Sequence, residues 1–253
     1  MPKEKIIKMK RKYSYIGLSL IILVFGIMFI PKIVETINSD EVVKSDRLNI
    51  KGADKRLNTD KALSYIEING RKKKAPEFEL INQDGDTITN EDYLGKVYVA
   101  EFFFTTCPTI CPIMNQNLVE VQEEFENKED FGIASFTIDP KHDTPEVLNS
   151  YAENYGIDHP NWNLLTGEKD SIYSLANVGY NIYAGENSEV PGGFAHQGLF
   201  ALVDKEGYIR SRLDDYGNPI IYYRGSVERN KSVAEGEEEP QIEILIEDIK
   251  KLL

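Results

Sequence analysis

Apolar and polar positions divide the chain into three stretches of different rhythm. Residues 13–30 carry no charge and end at Pro31 and Lys32. As a helix, these eighteen residues span roughly 27 Å, close to the hydrocarbon thickness of a bilayer. Residues 32–74 are polar, with no sustained apolar period and a basic run of Arg71, Lys72, Lys73 and Lys74. They predict a stalk with a short helix around 60–66. From residue 75 to residue 253, strand and helix patterns alternate.

In that third stretch, residues 77–81 and 87–89 flank Asp84-Gly85, a hairpin signal. KVYVAEFFF (96–104) is rich in Val, Tyr and Phe, which predicts a central strand buried on both faces. Ile113, Leu118, Val121 and Phe125 recur at helical spacing over 113–125, after a proline-marked start. A second buried strand follows at 132–138. Asp143-Thr144-Pro145-Glu146 opens a helix to about Tyr155: a cap, a proline in the first turn and early acidic charge. Residues 162–165 predict a short strand and 171–178 a short helix. Residues 198–204 and 208–212 predict a hairpin, and 242–253 a closing amphipathic helix. The order describes an α/β domain, a mixed central sheet covered on both faces by helices. Residues 214–239 break the rhythm and carry the acidic run Glu235, Glu237, Glu238 and Glu239, which predicts an exposed loop or insertion.

Charge sharpens the layout. Of residues 1–12, six are Lys or Arg and one is Glu, while the whole 253-residue chain has a net charge of −13. An acidic body repels a phosphate backbone, which argues against nucleic-acid binding. The basic residues 1–12 before the apolar run predict a cytoplasmic tail, a single-pass transmembrane helix over 13–31, and everything after it in the periplasm or extracytoplasmic space. No small-x-small site follows Ile30 and no cysteine stands nearby to take a lipid, so an uncleaved anchor is favoured over a signal peptide.

Cys107 and Cys111 are the only cysteines, in FTTCPTICPIM, where a buried strand gives way to a helix. Helix starts offer unpaired N–H groups that stabilise a thiolate. Pro108 suits a first helical turn, and positions four apart on a helix share a face, so both sulfurs can address one centre. Two thiolates suit a soft ion such as Cu(I). The spacing is one residue longer than the Cys-x-x-Cys of thioredoxin-type enzymes, and structural zinc wants four ligands. On spacing alone a metal site and a plain disulfide stand level. Of three histidines, His142 and His159 read as surface residues. His196 follows Pro191-Gly192-Gly193-Phe194-Ala195 at the mouth of a strand, where it can reach a site above the sheet.

The strand–CPxxCP–helix segment, the stretch FTIDPKHDTPEVL and the single histidine before FALVDKEG together resemble the Sco/SenC family of copper proteins, over roughly residues 75–213 and the terminal helix. The resemblance implies a thioredoxin-like fold, with copper, as Cu(I) or Cu(II), held by Cys107, Cys111 and His196. It implies a metallochaperone for the copper-site subunit of cytochrome c oxidase or another exported copper protein. The alternative is a membrane-anchored thiol–disulfide oxidoreductase that cycles Cys107 and Cys111 through a disulfide to reduce a partner's cysteines. Many relatives carry Asp-His-Ser around the histidine; here Ala195 and Gln197 stand there, so what orients the imidazole differs. Asp139 is expected chiefly to form a turn with Pro140.

Overall fold

The computed structural model describes residues 19, 23–27, 63–68, 70–213, 219–232 and 238–253. Contacts divide the chain into two units, residues 1–54 and 55–253. Of the first, Ser19 and residues 23–27 are described, as helix, with Leu23, Val24, Phe25 and Ile27 exposed. The rest of the anchor expected over 13–31, the basic tail and most of the stalk lie outside the described residues. Among the described residues no helix is long and apolar enough to cross a membrane.

The second unit contains, in chain order, β1 (Ser64–Tyr65), β2 (Glu67–Ile68), β3 (Arg71–Lys72), β4 (Glu79–Ile81), β5 (Thr87–Thr89), β6 (Val97–Phe103), α1 (Cys111–Glu124) and β7 (Phe131–Thr137). There follow α2 (Pro145–Tyr155), β8 (Trp162–Leu165), α3 (Lys169–Ser174), β9 (Ala184–Glu186), β10 (Phe194–His196), β11 (Leu199–Val203) and β12 (Ile209–Leu213). The chain closes with β13 (Pro219–Ile220), β14 (Tyr223–Arg224) and α4 (Ile242–Leu252). The central sheet runs β1-β12-β11-β6-β7-β8. β6, β7 and β8 are parallel, and such pairs need crossovers, which α1 and α2 supply. β11, β12 and β1 complete the sheet antiparallel. The mixed sheet expected from the alternating pattern is therefore present.

Every residue of β6 and β7 is buried, which is why both read as largely apolar runs, broken by Glu101 in β6 and by Ser135 and Thr137 in β7. Phe102 stacks on Phe136 with ring centroids 5.2 Å apart, and each such burial contributes about 2–3 kcal/mol. On α4, Ile242, Leu245, Ile246 and Ile249 are buried, the spacing of one helical face. α2 begins as its sequence predicts, with Thr144 at the cap and Pro145 in the first turn, and ends at Gly156 with φ of 70°.

The sheet begins inside the segment expected as stalk. β1 pairs with β12, and β2 and β3 form a hairpin beside it. The short helix expected around 60–66 is strand at Ser64 and Tyr65. One helical turn is marginal alone, whereas the edge of β12 supplies backbone partners. Tyr65 also receives the Arg210 guanidinium 4.0 Å from its ring centroid. Residues 214–239 are not wholly an exposed loop either. β13 and β14 extend β12 and β11, and Tyr223 is fully buried, with its hydroxyl donating to Asp248 at 2.8 Å. Two-residue strands leave no period to read.

Candidate metal centre

The loop from β6 to α1 carries the cysteine motif, and a buried carboxylate ties it down. Asp143 is fully buried. It accepts from the Thr105 backbone N–H at 3.1 Å, from the Thr105 and Thr137 hydroxyls, and lies 2.9 Å from His142 Nδ1. The stretch DPKHDTP is thereby clamped to the residues just before Cys107. The helix starts later than Pro108: α1 begins at Cys111 with Pro112 in its first turn. The cysteines therefore do not share a helical face, as their spacing suggested. Cys107 sits in the loop and Cys111 is the first helical residue, yet their sulfurs converge.

His196 arrives from the other side, on the ribbon that β9 and β10 form. Gly192 and Gly193 turn this ribbon with φ of 86° and 80°. A Cβ at Gly192 would meet the Phe104 ring at 2.9 Å and Pro108 Cδ at 3.0 Å, so the turn lies directly on the cysteine loop. His196 Nε2 is 3.2 Å from Cys111 Sγ and 3.9 Å from Cys107 Sγ. The three ligand atoms lie within 4.8 Å of one another. Among the described residues this is the one His/Cys/Asp/Glu group close enough to hold a metal ion.

What orients the imidazole is packing. Phe104 meets the His196 ring edge-on, centroids 5.7 Å apart at 78°. His196 Nδ1 is buried and has no hydrogen-bond partner among the described residues: Ala195 offers no side-chain acceptor and Gln197 Oε1 accepts from Tyr183 N–H at 2.9 Å. The donor set nevertheless fits a soft metal: two sulfurs and the imidazole Nε2 face one point, with the unpartnered nitrogen turned away.

Cys107 and Cys111 are free thiols, both buried. Cys107 is held far below the ordinary thiol range, first by the neighbouring Cys111 thiol, with His196 and the backbone N–H groups of Thr109 and Cys111 adding to it against burial. Cys111 is pushed up by burial and then by the charge on Cys107. The two thiols are thus pushed apart, Cys107 towards the thiolate and Cys111 towards the protonated form.

Sequence reasoning passed over Glu101, which lies fully buried on β6. Its Oε1 accepts from Ser135 Oγ at 2.6 Å, Trp162 Nε1 donates to the same Ser135 oxygen at 2.9 Å, and Oε2 has no partner among the described residues. Burial pushes its carboxyl up to about 7. The signal was a lone charge inside VYVAEFFF. Of the remaining histidines, the His142 side chain is half exposed, as expected. His159 is buried, contrary to its expected surface position, with Nδ1 accepting from Asn161 N–H at 3.1 Å. The Asp139 carbonyl accepts from the N–H groups of His142 and Asp143, the turn anticipated for it.

The sequence profile of the SCO1/SenC family matches residues 67–227. The chain belongs to the SCO1/SenC family. Its match to the SCO1 protein homolog of Bacillus subtilis is 35% identical over 141 residues, covering 55% of this chain and 71% of that protein. Among solved structures it is similar to BsSco, described as a member of the Sco family of cytochrome c oxidase assembly proteins with a disulfide switch. The TM-score is 0.56 at 27% identity, covering 71% of this chain and 93% of that one. It is also similar to yeast Sco1 with copper bound, with a TM-score of 0.50 at 25% identity, covering 70% and 89%. This SCO1/SenC member therefore has the thioredoxin-like fold of its relatives, and its cysteine pair and histidine meet within it.

Proposed function

We propose that Cys107, Cys111 and His196 bind one copper ion as cargo, and that the chain delivers it outside the cytoplasm to the copper-site subunit of cytochrome c oxidase or another exported copper protein. The observation that carries this reading is the convergence of the three ligand atoms to within 4.8 Å. Two sulfurs and one imidazole suit Cu(I), and three protein ligands leave a position through which an acceptor's ligand can attack. Relatives described as copper-bound or as oxidase assembly proteins support the cargo and the destination. The basic tail and the uncharged residues 13–30 support a single-pass anchor with the cytoplasm on the amino-terminal side.

A second reading is favoured by the asymmetry of the thiols. A thiol pushed down at Cys107 beside a buried thiol pushed up at Cys111 suits an attacking and a resolving cysteine in thiol–disulfide exchange. Anaerobic titration of the full chain with Cu(I) and Cu(II) separates the two. Uptake of one equivalent, lost in Cys107→Ser and Cys111→Ser, is the expected result. Two titratable thiols with no copper uptake would overturn the copper reading and leave thiol exchange.

A further inference from the structure

Arg71, Lys72, Lys73 and Lys74 form a run of four cations in a chain whose net charge is −13. Arg71, Lys72 and Lys74 are exposed and Lys73 is half buried. Among the described residues none of the four lies within ion-pair distance of a carboxylate, whereas Lys169, Lys205, Arg210, Arg212, Arg224 and Arg229 each have an acidic partner. Glu67 is the single carboxylate between residues 64 and 74; it stands opposite Lys72 in the hairpin register.

The patch is built rather than loose. Lys73 N–H donates to Ile66 carbonyl at 2.8 Å and the Lys73 carbonyl accepts from Ile209 N–H at 3.0 Å. The Lys72 ammonium rests 3.4 Å from the Tyr65 ring centroid and the Lys74 ammonium 5.3 Å from that of Tyr208. Aromatic faces hold these cations in place without neutralising them. Ile68, next to the hairpin tip, is 52% exposed. Basic groups around an exposed apolar side chain match an anionic headgroup layer over its acyl boundary.

We propose that the β2–β3 hairpin docks the domain on an anionic phospholipid surface. The inference rests on the membrane anchor proposed above. In sequence the hairpin stands between residues 13–30 and the rest of the domain, and a tether makes weak docking effective by raising local concentration. An anionic bilayer is favoured over an acidic protein for that reason. Docking also sets direction. The hairpin joins the sheet at Gly207 and Tyr208, just after β11. Val203 of β11 pairs with Tyr98 at the start of β6, whereas the cysteine loop leaves its far end. About 20 Å of strand separates the two, so the docked domain presents the metal centre away from the bilayer.

The full chain, reconstituted into phosphatidylcholine vesicles with or without about 30% phosphatidylglycerol, tests this by amide hydrogen exchange over residues 64–74. Phosphatidylglycerol should slow that exchange at least about threefold, and about 0.5 M salt should abolish the slowing. The variant Arg71→Gln/Lys72→Gln/Lys74→Gln should show no lipid dependence while amides of β6 and β7 keep wild-type protection. Equal exchange on both vesicles, or slowing seen only when an acidic protein is added, would overturn the proposal. Release of the chain from both vesicles by alkaline carbonate would refute the anchor, while lipid-dependent slowing would still uphold the hairpin.

Discussion

Cys111 Sγ lies 3.2 Å from His196 Nε2, across 85 residues of sequence. The contact joins the first residue of α1 to the last residue of β10. If that nitrogen is a ligand, His196→Ala should weaken Cu(I) binding by at least about 100-fold in competition with a chromophoric chelator. Reduction of a disulfide-bonded partner should persist, because both thiols remain. Unchanged copper affinity would assign the imidazole a structural place only.

The proton of the cysteine pair gives a second expectation. Cys107 is held low chiefly by the neighbouring Cys111 thiol, so it should alkylate readily at pH 5. Cys111, pushed up by burial, should stay unmodified. Cys111→Ala removes the neighbouring thiol and should slow alkylation of Cys107 at pH 5 by about tenfold or more. Peptide mapping after a brief iodoacetamide pulse measures both. Equal labelling of the two cysteines in the wild-type chain would contradict the asymmetry.

Asp143 should matter to both fold and site. Asp143→Ala leaves the donors of half-buried Thr105 and buried Thr137 without their acceptor. The expected cost is about 3 kcal/mol in urea unfolding. The loosened Thr105–Cys107 segment should also lower copper affinity in variant protein that is still folded. Thr105→Val, which removes one hydroxyl and keeps the backbone bond, should show a smaller effect on both measures.

Glu101 makes stability depend on pH. Its carboxyl is raised from 4.5 to about 7 in the folded chain. The folded state therefore binds more protons than the unfolded state between those values. Its contribution is most favourable below the unfolded value and is lost as pH rises towards 7, by about 3 kcal/mol. Glu101→Gln should flatten this dependence and be more stable than wild type at pH 8. Urea midpoints at pH 5 and pH 8 measure it, and parallel shifts in the two proteins would contradict it.

Much of the domain was legible from residue pattern because its central strands are buried on both faces. VYVAEFF and FGIASFT stand as largely apolar runs, and proline, glycine and acidic residues mark the ends of α2. The ligand residues were legible only jointly: spacing left metal and disulfide level, His196 stood out by its place at the mouth of a strand, and the family resemblance joined the three. What stayed hidden depends on long-range pairing. β1 is strand because β12 offers an edge, β13 and β14 are too short to show a period, and His159 is buried beside Phe131, ring centroids 5.6 Å apart. Asp143 read as a helix-start residue because the neighbours that make it a clamp, Thr105 and Thr137, are distant in sequence or masked within a strand.

The most direct measurement is X-ray absorption at the copper edge on the full chain loaded with one equivalent of Cu(I). The expected spectrum has two sulfur ligands and one imidazole nitrogen, with one sulfur lost in either Cys107→Ser or Cys111→Ser and the imidazole lost in His196→Ala. A first shell without sulfur, or one unchanged by these three substitutions, would contradict a copper centre at Cys107, Cys111 and His196.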